Sequence, residues 1–187
     1  MVIDNTLYHG RPDKAREARE DSCYDLLDAL GIDYYRVDHE HADTIEACRE
    51  VEMLLGCTIC KNLFLCNRQQ TAFYLLIMPG TKPFKTKYLS AQIGSSRLSF
   101  AGAADMERLL GVTPGSVSVL GLKNDEAHAV QLLVDRELLE EKDFGCHPCK
   151  NTSSLRFSTQ QLREKLLPAL EHEPIYVNLP WEFDEQT

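Results

Sequence analysis

The chain has 187 residues, 43% of them hydrophobic, with 20 Lys and Arg against 29 Asp and Glu and a net charge of −9. That size fits one domain with short extensions and a sizeable core, and its longest apolar run, around residues 73–78, is far too short to span a bilayer. Met1-Val2-Ile3-Asp4-Asn5 lacks the basic and apolar regions of a signal peptide, and the seven cysteines are an odd number, so we expect a soluble cytoplasmic protein without a disulfide framework.

In chain order, residues 1–12 read as a poorly specified lead-in. Pro12 suits a first helical turn, and Asp13 to Leu30 has helical composition with Gly31 as its stop. Apolar spacing begins only at Cys23, so the C-terminal half of this helix should pack on the core and the charged half project. Ile32 to Val37 reads as a strand. Asp43-x-x-Glu46 is a capping-box-like start to a helix over Thr44–Leu55, closed by Gly56. Lys61-Asn62-Leu63-Phe64-Leu65 and Phe73-Tyr74-Leu75-Leu76-Ile77-Met78, separated by a polar turn, predict a buried hairpin with a cation at its mouth.

A loop over Pro79–Pro83 follows, then a helix over Thr86–Ile93 ended by Gly94 and a strand over Arg97–Ala101. Ala103 to Leu110 reads as a helix closed by Gly111, and Val112–Gly115 as a turn into Ser116–Leu122, a Gly-led bend before a strand. His128 to Val134 reads as a buried strand, Arg136–Glu141 as a helical turn and Gly145–Thr152 as a loop dense in Cys, His and Pro. Leu155–Phe157 is a short strand, Ser158-x-x-Gln161 caps a last helix ended by Pro168, and Pro174–Leu179 closes the chain as a strand. Interleaved helices with adjacent hairpin strands point to a mixed sheet, α+β or irregular α/β, rather than a doubly wound fold.

The charge is unevenly spread. Between Glu52 and Asp105 there is no acidic residue, and Lys61, Arg68, Lys82, Lys85, Lys87 and Arg97 give that window +6 against −8 and −7 for the flanks. An acidic protein with one basic third can dock a polyanion there and repel it elsewhere, although the same cations also suit a plain solvated surface.

Walker, Gly-x-Gly-x-x-Gly and Gly-x-Ser-x-Gly motifs are absent from the sequence, so nucleotide-dependent and elbow-serine chemistry have no support. Two Cys-x-x-Cys pairs, Cys57/Cys60 and Cys146/Cys149, have the knuckle spacing of a structural Zn site. They lie much farther apart than in a compact ribbon, so we read them as core or loop cysteines and expect no metal, with Zn ligation as the alternative. His39, His41 and His147 are the histidines in polar, loop-like settings, and Pro148 stiffens the segment that holds His147. The bend Gly115-Ser116-Val117-Ser118-Val119 can aim backbone N–H groups at an anion or a developing oxyanion, as many connections can.

Taken in order, Tyr24–Ile32, His39 and Thr44, Lys61–Leu65 with Phe73–Leu75, Arg97–Ala101, Leu110–Val117, Gly121-Leu122-x-Asn124-Asp125 and His147-Pro148-x-x-Asn151-Thr152 resemble the YbaK-like superfamily of aminoacyl-tRNA editing domains. The match is closest to its free-standing prolyl-tRNA editing proteins of the ProXp-ala or PrdX type, and it covers roughly residues 24–179. The resemblance implies a single α+β domain around one mixed, strongly curved sheet flanked by helices. Residues 1–22 would then be an N-terminal extension running into the first helix, 23–180 the deacylase domain and 181–187 a tail.

The same resemblance implies hydrolysis of an aminoacyl ester on the 3′-terminal adenosine of mischarged tRNA(Pro), with no cofactor. The family's lysine falls on Lys61 and its adjoining asparagine on Asn62. The glycine of its Gly-x-x-x-Pro loop falls on Gly115, its His-Pro pair on His147 and Pro148, and the arginine of acceptor-stem contact on Arg97. Lys61, Gly115 and His147 are thus the expected catalytic set, and Asn62, Arg97, Ser116, Val119, Pro148 and Asn151 the expected substrate and tRNA contacts. The family proline is replaced by Val119, which bears on substrate preference more than on the reaction. Alanine is the expected misacylated residue. Cysteine or serine are alternatives, as is a non-catalytic tRNA-binding member of the fold, and transient association with prolyl-tRNA synthetase or elongation factor fits a trans-acting enzyme.

Overall fold

The computed structural model describes residues 2–41 and 45–183. Its strands are β1 (Tyr8–His9), β2 (Tyr34–Asp38), β3 (Lys61–Asn67), β4 (Phe73–Met78), β5 (Leu98–Phe100), β6 (Val130–Asp135), β7 (Asp143–Cys146), β8 (Ser153–Ser158) and β9 (Ile175–Val177). The fold is α+β, but the strands divide into two sheets instead of one. The first runs β1-β2-β8-β7 and is antiparallel throughout; the second runs β5-β3-β4-β6-β9, with β4, β6 and β9 parallel.

β4 explains the continuous apolar run in the sequence. Phe73, Leu75 and Ile77 enter the main core, while Leu76 and Met78 enter a second core on the opposite face. A central strand covered on both sides has no polar face to show. The helix α3 (Thr86–Ile93) supplies Leu89 to that second core and ends at Gly94 in the left-handed region. Three further helices are α1 (Ala18–Ala29), α2 (Ile45–Leu55) and α4 (Ala103–Asp105), the last running on as a π turn over Met106–Leu110. The final helix is a composite of α5 (Thr159–Gln161), a π turn over Leu162–Leu166 and α6 (Leu167–Ala169).

The two sheets meet where Ile59 bridges Gly145 and the Cys60 N–H donates to the Gly145 carbonyl at 2.9 Å. A Cβ on residue 145 would sit 2.7 Å from the Thr58 carbonyl oxygen, so only glycine lets the backbones approach this closely.

Several expectations need correction. The first helix starts at Ala18, not Asp13, and its N-terminal part does not project. Glu20 is buried, receives the Tyr24 and Ser153 hydroxyls at 2.8 and 3.2 Å, and the Arg16 guanidinium reaches Asp38 at 2.7 Å. The lead-in is also specified: β1 adds an edge strand to β2, and Ile3 bridges His39. Ser116–Leu122 holds no strand; Ser118 caps a 3-10 turn over Val119–Asn124 by accepting from the Leu120 N–H at 3.3 Å. The loop expected over Gly145–Thr152 begins inside β7. The last helix runs past Pro168, because the wider π turn before it accommodates a residue without an N–H. Its cap is as expected, with Ser158 Oγ accepting from the Gln161 N–H at 3.2 Å. The cap expected at Asp43 and Thr44 lies outside the described residues.

Candidate active site

Lys61 opens β3 opposite Met78 of β4, so the hairpin register places it at the open end of the hairpin, beside the turn that follows Met78. Its ammonium donates to the Lys82 carbonyl in that turn, and burial lowers its pKa from the ordinary lysine value. The turn is itself anchored. Lys82 is fully buried, donates to Asp135 Oδ2 at 2.8 Å and to Glu137 at 3.2 Å, and lies 5.4 Å from the centre of the Trp181 ring. The basic window therefore carries one cation fewer at the surface than its sequence suggests; Arg68, Lys85, Lys87 and Arg97 are exposed.

Asn62, next along β3, spans a gap with both ends of its amide. Its Oδ1 accepts from the Val119 N–H at 2.9 Å, and its Nδ2 donates to the Cys60 carbonyl at 3.3 Å. Val119, expected from the sequence to replace a proline, thus supplies an N–H that proline lacks, and uses it to tie β3 to the Gly115 segment. Gly115 has φ +83°, the left-handed region that favours glycine, and His41 comes within 3.5 Å of where its Cβ would lie.

His147 sits in the segment between β7 and β8. Its Nδ1 donates to the Ser153 carbonyl at 3.0 Å, which leaves Nε2 as an acceptor. Burial, reinforced by the nearby His39 and His41, pulls its pKa down to about 4 despite that bond. The ring is therefore neutral near pH 7. His39 lies 6.3 Å away edge-on, its Nδ1 toward the Glu40 carbonyl at 2.7 Å and its Nε2 toward Ser154 Oγ at 2.9 Å, and burial lowers its pKa as well.

Lys61, Asn62, Gly115 and His147 line one cavity of about 340 Å³, walled by Cys60, Leu63, Phe64, Phe100, Met106 and Val117. A larger surface hollow of about 660 Å³ around Arg163 and Tyr176 contains none of the expected site residues. The structure does not bring the other candidates into the cavity. Ser116 is buried behind the wall, where its Oγ accepts from the Asn151 N–H at 3.2 Å; Val119 and Pro148 are buried, and Arg97 is exposed just before β5. The sequence reading missed Phe100, Met106 and Val117, apolar residues with no chemical signature, and gave no role to His39 and His41.

The two Cys-x-x-Cys segments do meet, at the Ile59–Gly145 bridge. Burial pushes the Cys57 and Cys60 thiols up to about 12 and Cys146 well above its usual range, which holds them protonated. Cys149 turns instead toward Cys23, with Lys123 Nζ 3.2 Å from the Cys23 sulfur and 3.9 Å from that of Cys149. Among the described residues, no three His, Cys, Asp or Glu side chains are grouped to hold a metal ion. No helix among them is long and apolar enough to cross a membrane.

Comparison with known proteins gives a consistent result. A family model for the aminoacyl-tRNA editing domain matches residues 39–165. Prolyl-tRNA editing protein ProX of Acetoanaerobium sticklandii is 32% identical over 143 residues, 76% of this chain and 87% of that protein. Prolyl-tRNA synthetase associated domain-containing protein 1 of Danio rerio is 26% identical over 156 residues, 82% of this chain and 84% of that protein. A structure solved as a candidate trans-editing enzyme for prolyl tRNA synthetase superposes with a TM-score of 0.66 at 15% identity, over 88% of this chain and 98% of that one.

Proposed function

The chain belongs to the aminoacyl-tRNA editing domain family, as an aminoacyl-tRNA deacylase, and from that premise we propose that it hydrolyses mischarged tRNA(Pro) in trans, with Ala-tRNA(Pro) as its substrate. The observation that carries this reading is the convergence of the Lys61-Asn62 pair, Gly115 and His147, three places distant in sequence, on one small cavity.

An aminoacyl ester is already activated, so its hydrolysis needs positioning and carbonyl polarisation more than a strong nucleophile. Water adds to the ester carbonyl carbon, the bond from that carbon to the ribose oxygen breaks, and a proton from the water ends on the ribose hydroxyl. Free amino acid and tRNA are the products. Lys61 supplies a fixed positive charge for the phosphate or ribose of the terminal adenosine. Ser116, Val119 and Leu120 spend their N–H groups within the protein, so the carbonyl oxygen where negative charge develops falls to the N–H groups of Gly115 and Val117, the two residues of the bend that line the cavity. His147, neutral with an acceptor at Nε2, takes a hydrogen bond from a sugar hydroxyl or from the attacking water. Asn62 is a strut more than a ligand, because both ends of its amide are engaged within the protein.

The preference for alanine is exclusion by size. Leu63, Phe64, Met106 and Val117 close the apolar side of the cavity, and a wall of this kind rejects a larger ring by clash. Brief association with prolyl-tRNA synthetase or elongation factor in the cytoplasm belongs to the same reading, since a trans-acting enzyme must intercept its substrate after release. Deacylation measured on Ala-, Ser-, Cys- and Pro-tRNA(Pro) tests it. Loss of the alanyl ester with the prolyl ester spared is the expected result, and equal rates on all four would defeat it.

A further inference from the structure

Phe100 takes no part in the chemistry above, yet its position is unusual. It ends the edge strand β5, is 62% exposed, and stands at the rim of the same cavity as Lys61 and His147. Leaving so large a ring in water forgoes much of the stabilisation that burying it would bring. Its ring meets that of Phe84 edge-on, with centres 6.4 Å apart, and Phe84 packs against the second core. One ring is thus anchored and the other presented, held in orientation by an edge-to-face contact.

The surroundings favour one kind of occupant. Lys85, Lys87 and Arg97 are exposed on the segments that carry these two rings, within the stretch from Glu52 to Asp105 that contains no internal acidic residue. Exposed aromatic faces flanked by cations are how proteins hold unpaired nucleic acid: bases stack and the backbone follows the charge. The 3′ end of a tRNA is single-stranded. A cavity of about 340 Å³ takes the aminoacyl-ribose but not the run of bases behind it, so those bases must cross the rim.

We propose that Phe100, braced by Phe84, is a stacking platform for an unpaired nucleobase of the tRNA 3′ end. This rests on the deacylase reading for its biological setting, but its test does not require catalysis. An uncharged tRNA(Pro) acceptor-stem minihelix is prepared with 2-aminopurine at the terminal or the penultimate position, and its fluorescence and affinity are followed on adding the full-length protein.

The wild type should change the fluorescence strongly at one of the two positions. Phe100→Ala should remove that change and weaken binding roughly 5- to 100-fold, the range for loss of one stacked base, with its thermal unfolding midpoint preserved. Phe100→Trp should retain the signal, and Phe100→Leu, which keeps apolar area without a π face, should not. The proposal is overturned if neither position responds to the wild type, or if Phe100→Ala keeps the signal. It is equally overturned if Phe100→Leu binds like the wild type, which would mark the ring as a plain apolar contact, such as a docking point for another protein. A minihelix that stacks on Phe100 while no aminoacyl-tRNA is hydrolysed would defeat the deacylase reading alone.

Discussion

Lys61 and His147 face one cavity from walls that are built in opposite ways. The Lys61 wall is charged and regular. A strand register fixes the backbone, a carbonyl holds the ammonium, and a buried ion pair between Lys82 and Asp135 holds the turn bearing that carbonyl. The His147 wall is neutral and irregular: imidazoles, a serine hydroxyl and carbonyl oxygens joined by hydrogen bonds, with burial driving protons off the rings. The difference matches two tasks. The anionic backbone of RNA needs a fixed charge, whereas a sugar hydroxyl or the attacking water needs a neutral acceptor, which the Nε2 of His147 offers.

The largest effect expected is on the charged wall. Lys61→Ala should slow single-turnover deacylation on the order of 10²- to 10³-fold, the range for loss of one electrostatic group at an active site, with the fold intact by circular dichroism. An unchanged rate would remove Lys61 from the mechanism. Next comes its support. Asp135→Ala leaves the buried Lys82 ammonium with only the partly exposed Glu137 carboxylate at 3.2 Å, and should cost about 3 kcal/mol in urea unfolding, the lower end for a broken buried pair. Replacing both partners, Lys82→Met with Asp135→Leu, should recover much of that stability. If the single variant is as stable as the wild type, the ion pair does not hold the turn.

The neutral wall is probed by pH. The pKa of His147 in the folded protein, about 4, lies below the value of 6.5 that an unfolded chain would show. The unfolded state therefore takes up a proton first as pH falls. The contribution of the neutral ring is complete above pH 6.5 and is lost progressively down to about pH 4. His147→Gln, which cannot titrate, should flatten the fall of the urea midpoint across that window relative to the wild type. Parallel curves would show that the ring is not held neutral by its surroundings.

The smallest effect concerns the link between the walls. Val119→Pro deletes the N–H that Asn62 accepts from, worth about 0.5–1.5 kcal/mol, and should lower the deacylation rate a few-fold. Val119→Ala keeps the N–H and should have the smaller effect on rate. The reverse order would make the side-chain volume at 119, rather than the link, the property that matters.

How far the sequence disclosed all this differs between the same two walls. β3, β4 and α3 were legible because apolar runs, Thr86 and Gly94 are local signals that tertiary packing did not override. Lys61, Gly115 and His147 stood out as residues, but their roles, and Asn62, came through resemblance; the structure places all four on one cavity. β7 was hidden because Asp143-Phe144-Gly145-Cys146 contains no β-branched residue, and pairs only because β8 offers it an edge. The burial of Lys82 was equally hidden, since nothing near it in sequence announces Asp135 as its partner. Phe100 and Met106 became cavity residues only through the packing of β5 and the π turn against β3.

The separation of the two sheets also orders events in time. β3 and β4 are neighbours in the chain and can zip as a hairpin as soon as both exist, whereas β2 must wait for β8, and β4 for β6, across long intervening segments. Closing those loops is the slow part of folding. A chain arrested before β8 would therefore display the lysine without a cavity around it, and hydrolytic competence would arrive only with the last strands. In pulsed hydrogen exchange, amides of β3 and β4 should gain protection before those of β2 and β8; simultaneous protection would mean that both walls form in one step.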